Sequence, residues 1–310
     1  MELHGVHHIT AITGDAPANV EFYVGVLGLR MVKKTVNQDD PTVYHLFYAD
    51  EAGSPGADLT FFEYPGAARG LAGAGMVHRI VWRVGSAATL DFWHERLVAA
   101  GGDPARTDGG LRFADPEGLE HELTVYDGPD APLTADAPDV PREHALQGFD
   151  GVRAYAADPT RSAPLLGDVL GFDGGQDGTW DVSGAERSGF YAWDAAPPTR
   201  PIQAAGTVHH VAFATRREEH AAWQQRVAQS GFARPTPVID RFYFESIYFR
   251  EPNGVLFELA TMGPGFGADE DPAHLGERLS LPPRFEHMRA QVEKTLTPLP
   301  DPRRDRATAS

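Results

Sequence analysis

Val6-His7-His8-Ile9-Thr10, near the start of the chain, and Val208-His209-His210-Val211-Ala212, far along it, are two copies of one phrase. Val77-His78-Arg79-Ile80-Val81 is a third copy, and Gly151-Val152-Arg153-Ala154-Tyr155 a weaker fourth. Each is a short β-branched, alternating run, which predicts a strand. Behind each strand, apolar residues recur at helical spacing over Pro17 to Leu27, Ala87 to Ala99, Arg161 to Leu170 and Glu218 to Gln229. Gly28, Gly101, Gly171 and Gly231 then stand where a left-handed cap would end each helix. Short strands follow. Asp115-Pro116-Glu117-Gly118-Leu119-Glu120-His121-Glu122-Leu123 matches Glu251-Pro252-Asn253-Gly254-Val255-Leu256-Phe257-Glu258-Leu259, with Pro and Gly making the turn before the last strand.

The repeating unit is therefore βαβββ, with copies near residues 1–66, 74–128, 146–195 and 204–262. The predicted class is α+β. A Pro- and Asp-rich stretch from Asp127 to Pro141 predicts two halves of two modules each, 1–128 and 146–262, joined by a linker at 129–145. A separate tail, 263–310, reads as one helix from Pro283 to Leu296 and a disordered polar end from Asp301 to Ser310.

Composition narrows the functions. Asp and Glu outnumber Lys and Arg by 44 to 27, and the resulting net charge of −17 argues against nucleic acid as a partner. No run approaches the roughly 20 apolar residues that a membrane helix needs, and the N-terminus lacks a signal-peptide pattern, so the expectation is a cytoplasmic protein off the membrane. With no cysteine in the chain, any metal must be held by His and carboxylate.

Aligning the module openings puts His8, Arg79, Val152 and His210 at one strand position, and aligning the last strands pairs Glu122 with Glu258. Modules one and four thus offer two His and one Glu. A lone His at a strand start is more often a packed residue than a ligand, but the joint pattern is stronger, because Arg79 and Val152 cannot bind a metal. Modules two and three read as the copy that lost its site. Two His and one carboxylate are the facial set of non-haem Fe(II) oxygenases, with open positions left for a substrate and O2. Mn(II) fits almost as well, and zinc with three ligands and a water is the chemical rival.

These residues resemble the vicinal oxygen chelate superfamily of glyoxalases, bleomycin resistance proteins and extradiol dioxygenases. More narrowly the chain is similar to ring-cleaving dioxygenases acting on hydroquinones, over about residues 4 to 298, including Tyr44-His45-Leu46-Phe47-Tyr48-Ala49-Asp50, Gly53-Ser54-Pro55-Gly56 and Tyr243-Phe244-Glu245-Ser246-Ile247-Tyr248. The resemblance implies four βαβββ modules forming two vicinal-oxygen-chelate domains with curved mixed sheets, plus the helical tail. It implies Fe(II) on His8, His210 and Glu258, and a small aromatic diol and O2 as substrates. It also implies catalytic roles for His7, Thr10, His209, Arg241 and Tyr248. Arg241 and Tyr248 would donate hydrogen bonds to negative charge developing on oxygen, and His209 would move a proton. By strand alternation alone, His7 and His8 point apart, as do His209 and His210.

Two other readings stay open. A glyoxalase-like lyase or isomerase using Zn, Ni or Mn would need a fourth ligand, for which Glu63 is the candidate. A non-catalytic protein that sequesters an aromatic toxin would need no metal ligands. Phe242, Phe244 and Phe257 are expected to line an aromatic pocket, and His45, His78 and His121 to be core-edge or solvated. Homo-oligomerisation is left open.

Overall fold

The computed structural model describes residues 1–307, with side chains through Arg304. Its strands fall into the four expected groups. Module one holds β1 (Val6–Thr13), β2 (Arg30–Val36), β3 (Tyr44–Ala49) and β4 (Asp58–Glu63); module two holds β5 (Met76–Val84), β6 (Ala105–Thr107), β7 (Gly110–Ala114) and β8 (Glu120–Val125). Module three holds β9 (Phe149–Ala156), β10 (Asp173–Gly174), β11 (Thr179–Asp181) and β12 (Phe190–Ala195). Module four holds β13 (Thr207–Thr215), β14 (Ile239–Asp240), β15 (Glu245–Arg250) and β16 (Leu256–Thr261).

These strands make two eight-stranded mixed sheets, ordered β14-β15-β16-β13-β1-β4-β3-β2 and β10-β11-β12-β9-β5-β8-β7-β6. The sheets do not follow the two halves expected from the sequence. Module one pairs with module four through β1 and β13, and module two with module three through β5 and β9. The 129–145 segment is also no free tether: Glu51 N–H donates to Thr134 C=O, and Ala135 and Val140 are buried.

The helices after β5 and β13 form as expected, over Ala87–Ala99 and Arg217–Ser230. The second ends at Gly231 in the left-handed conformation, where φ is 76°. The other two segments are shorter and wind wider. A turn of helix at Ala16–Val20 runs into a π-helix at Glu21–Val26, and a 3-10 turn at Pro159–Arg161 precedes a π-helix at Pro164–Val169.

The tail departs further from expectation. It is bound to module one: the fully buried Lys33 ammonium is held by Asp269 and Glu270, and Arg30 donates to the carbonyls of Pro272 and Ala273. The segment read as one helix begins as a 3-10 helix at Pro283–Met288 and becomes α-helix at Arg289–Thr295, after two prolines have removed backbone donors. The end expected to be disordered includes a helix at Pro302–Ala307, and Arg303 pairs with Glu51 at 2.9 Å. Residues 308–310 lie outside the described residues. Among those described, no helix is long and apolar enough to cross a membrane.

One polar chain ties module one to module two inside the core. Trp82 Nε1–H donates to His121 Nδ1 at 3.0 Å, which leaves the proton on His121 Nε2 to reach Tyr23 Oη at 3.0 Å. Tyr23 in turn donates to Asp115 at 2.9 Å. His121, expected at the core edge, is fully buried, and burial pushes its pKa down to about 3, so it is neutral. A His121→Leu variant strands the Trp82 donor, and we expect it to lower unfolding free energy by about 3 kcal/mol in denaturant titration.

Candidate metal centre and cavity

The sheet register explains why two His-His pairs occur. Along β1 and β13, His8 faces Ala212 and Thr10 faces His210, while the register slips by one residue beside each pair. His7 and His209 are the extra residues of two β-bulges related by the symmetry of the paired modules. A bulge breaks strict alternation, so the neighbours do not simply point apart. His7 Nδ1 lies 2.9 Å from His8 Nδ1, and His209 Nδ1 lies 2.8 Å from His210 Nδ1.

Those contacts fix protons. His7 Nε2 has a carbonyl partner, Thr261 O at 3.2 Å, so it carries the proton and its Nδ1 accepts. His8 Nδ1 is then the donor, and His8 Nε2 is left with a lone pair. His210 Nδ1 meets His209 Nδ1 in the same way. The two Nε2 atoms converge. His8 Nε2 and His210 Nε2 are 3.3 Å apart and stand 3.2 and 2.9 Å from Glu258 Oε2. All three side chains are buried, and neither Glu258 oxygen receives a directed hydrogen bond. Two imidazole nitrogens and a carboxylate facing one another inside a protein are the donor set of a metal site, and separations near 3 Å suit donors each about 2 Å from a common centre. The residues therefore fit a divalent metal. Burial works against charge on Glu258, but the two imidazoles outweigh it and hold the carboxyl well below its usual range. For His8, burial is outweighed by the Glu258 carboxylate and the pKa rises; for His210, burial prevails and it falls.

The neighbouring strands show what could be a fourth ligand. Glu258 on β16 lies beside Ala212, two residues past His210. The equivalent residue on β4 lies beside Thr10, two past His8, and it is Thr60. Glu63 is three residues further along the strand and faces the other way, toward the backbone of Tyr44 and Ala16. The expectation that Glu63 might complete a four-ligand site is thus not met. Thr60 Oγ1 instead bonds Thr10 Oγ1 at 2.8 Å and His45 Nε2 at 2.9 Å.

The second sheet carries the matching position without a site. Glu122 lies beside Val81, as Glu258 lies beside Ala212, so those two carboxylates are equivalent as expected. Arg79 stands in place of the His and reaches Glu122 at 3.3 Å and Glu120 at 2.8 Å. The fourth copy needs a correction. Arg79 faces Arg153 and the bulge falls at Asp150, so Gly151, not Val152, occupies the ligand position. The sequence alignment was one residue out because a bulge is invisible in an alternating run. His78 is buried with its Nε2 2.8 Å from Asp194, and not part of a site.

A cavity of about 450 Å³ opens on the His8 and His210 side. Thr10, His209, Arg241 and Tyr248 all line it. His7 does not; it stands behind His8 and borders a separate cavity of about 380 Å³. Tyr248 is directly opposite Glu258 across the β15–β16 pair, and its ring lies edge-on to His210 at 5.7 Å. Burial holds the Tyr248 hydroxyl well above its usual pKa, so it remains a donor. Arg241 Nε donates to Tyr248 Oη at 3.3 Å and its terminal nitrogen reaches Asp39 at 3.4 Å. His209 is pushed down to about 4 by burial and by His210 beside it.

Of the expected aromatic lining, Phe244 is present, its ring 5.0 Å from that of His8. Phe257 is core, packed on Tyr191 and Phe213, and Phe242 adopts a positive φ of 73° in the β14–β15 turn. The lining instead includes Phe47, Phe62 and His45, all from module one. His45 was expected at a core edge. Alternation along Tyr44–Ala49 would have put His45 and Phe47 on one face, a signal that singles out this wall only once the site is known.

Comparison with known proteins agrees with this architecture. Residues 5–123 match the model of the glyoxalase/bleomycin resistance protein/dioxygenase superfamily. The chain is 39% identical to a Bacillus subtilis (strain 168) protein named "Putative ring-cleaving dioxygenase MhqA", covering 96% of this chain and 100% of that one. It is 32% identical to the chlorohydroquinone/hydroquinone 1,2-dioxygenase of Sphingobium indicum, covering 95% and 96%. A crystal structure of a "putative dioxygenase" from Bacillus subtilis superposes with a TM-score of 0.90 at 36% identity, covering 96% and 98%. The chain belongs to the glyoxalase/bleomycin resistance protein/dioxygenase superfamily, in the branch that holds these relatives.

Proposed function

We propose that this protein is an Fe(II)-dependent dioxygenase that cleaves the ring of a hydroquinone- or catechol-type substrate, with iron held by His8, His210 and Glu258. The observation that carries the reading is the convergence of two imidazole Nε2 atoms and a carboxylate, all buried, beside an aromatic-lined cavity. Bound iron would acidify a coordinated phenolic hydroxyl and bring O2 beside it. The protein's own groups do the rest. His7 and His209 orient the two ligand rings through their Nδ1 contacts, a role that usually affects metal affinity 10- to 100-fold. Tyr248 and Arg241 present donors to negative charge that develops on oxygen, and Phe62 and Phe244 exclude water around the ring. The names of the relatives support ring cleavage as the reaction. Thr60 at the fourth-ligand position weighs against the lyase or isomerase reading.

The test is anaerobic loading with Fe(II), then addition of hydroquinone or catechol with O2 uptake and ring-opening absorbance followed together. We expect O2 consumption matched to loss of the aromatic substrate; one iron per chain with no uptake for any dihydroxybenzene would overturn the proposal. Iron retention should also fall as pH drops through the imidazole range, because His8 and His210 must be neutral to bind. Dialysis at stepped pH, followed by iron assay, measures this.

A further inference from the structure

The cavity contains a second row of polar groups on the module-one side of the ligands. Thr10 is on β1, Thr60 on β4 and His45 on β3, three adjacent strands. Their side chains join in sequence, Thr10 Oγ1 to Thr60 Oγ1 at 2.8 Å and Thr60 Oγ1 to His45 Nε2 at 2.9 Å. The row starts beside His210, which faces Thr10 across the β1–β13 pair. It ends at His45, two strands from β1 and so roughly 10 Å across the sheet. His45 is gripped between aromatic rings, its centroid 4.0 Å from Phe47 and 4.4 Å from Phe62. Nε2 is committed to Thr60, so Nδ1 is the ring nitrogen left for a ligand in the cavity. Burial keeps the imidazole neutral, so a neutral phenolic partner suits it better than an anion.

A 1,4-diol and a 1,2-diol make different demands here. Both oxygens of a catechol are adjacent and reach the open positions of one metal ion. A hydroquinone places one oxygen there and carries the other across the width of the ring, where an aromatic wall without a polar group would strand it. We infer that His45, positioned by Thr60 and Thr10, is the hydrogen-bond partner of the metal-remote hydroxyl of a 1,4-dihydroxybenzene and selects such substrates over catechols. This rests on the ring-cleavage reading proposed above.

The experiment compares the unaltered Fe(II)-loaded protein with His45→Phe and His45→Gln, titrating hydroquinone and catechol calorimetrically without O2 and then measuring KM and kcat for each. His45→Phe keeps a flat ring between Phe47 and Phe62, and His45→Gln restores a polar partner. We expect His45→Phe to weaken hydroquinone binding and raise its KM about tenfold, with catechol changed less than about twofold and iron content unchanged. His45→Gln should recover part of the loss. Equal losses for both diols, or none for hydroquinone, would overturn the inference while leaving ring cleavage standing. If the unaltered protein binds neither diol, both proposals fall.

Discussion

His8→Ala, His210→Ala and Glu258→Ala should each lose iron on dialysis that the unaltered protein retains, while Glu122→Ala should retain it. The contrast is the sharpest available, because Glu122 and Glu258 hold equivalent places on equivalent strands. They differ in what stands opposite. Glu258 faces two imidazole nitrogens, whereas Glu122 faces the Arg79 guanidinium. Removing any one of three ligands should cost more than the 10- to 100-fold known for groups that merely orient a ligand, so we expect at least about 100-fold weaker iron binding. Circular dichroism and denaturant titration in the presence of a chelator show whether each variant is folded. Iron loss in Glu122→Ala equal to that in Glu258→Ala would mean that the two sheets have been assigned the wrong roles.

Much of this was legible before any coordinates, for a physical reason. Strand and helix periods, turn glycines and repeated phrases are local, and repeating them four times averages out the errors of any one copy. The convergence of His8, His210 and Glu258 followed from the same repetition, since a ligand position can be compared with copies that lack it. What escaped was non-local or sub-periodic. Bulges at His7, His209 and Asp150 shift alternation by one residue without changing the apolar pattern, and the one at Asp150 puts Gly151, not the expected Val152, at the position equivalent to His8 and His210. The sharing of each sheet between the two halves depends on β1 meeting β13, far apart in sequence. Burial of Lys33 against Asp269 and Glu270 in the tail could not be seen in a residue type that is ordinarily exposed. Thr60 and His45 carry no signal of their own until register sets them beside Thr10.

Arg79→Met should destabilise the protein by about 2 kcal/mol at neutral pH, and by less at pH 4. The guanidinium is the fixed cation of the second sheet, standing where the first sheet offers a place for a metal. It holds Glu120 and Glu122, and a neighbouring Arg153 holds Asp194 at 2.6 Å. Glu122 is nearly buried and Glu120 about half exposed, so the expected cost lies between the 3 to 5 kcal/mol of a broken buried pair and the small value of a surface one. The pH dependence follows from the carboxyls. Glu120 is lowered to about 2, first by its bond to His78 and then by Arg79, and Asp194 to about 2, first by Arg153. Groups lowered in the folded state stabilise it above their unfolded pKa, near 4, and lose that effect as pH falls toward 2. In Arg79→Met the released carboxylates repel each other at pH 7 and become protonated more readily on acidification, so the gap to the unaltered protein narrows. Guanidinium chloride is unsuitable because it screens the charges; urea titrations at pH 7 and pH 4 measure the difference directly. A cost that is the same at both pH values would assign Arg79 to packing and leave the second sheet without an electrostatic counterpart of the proposed metal site.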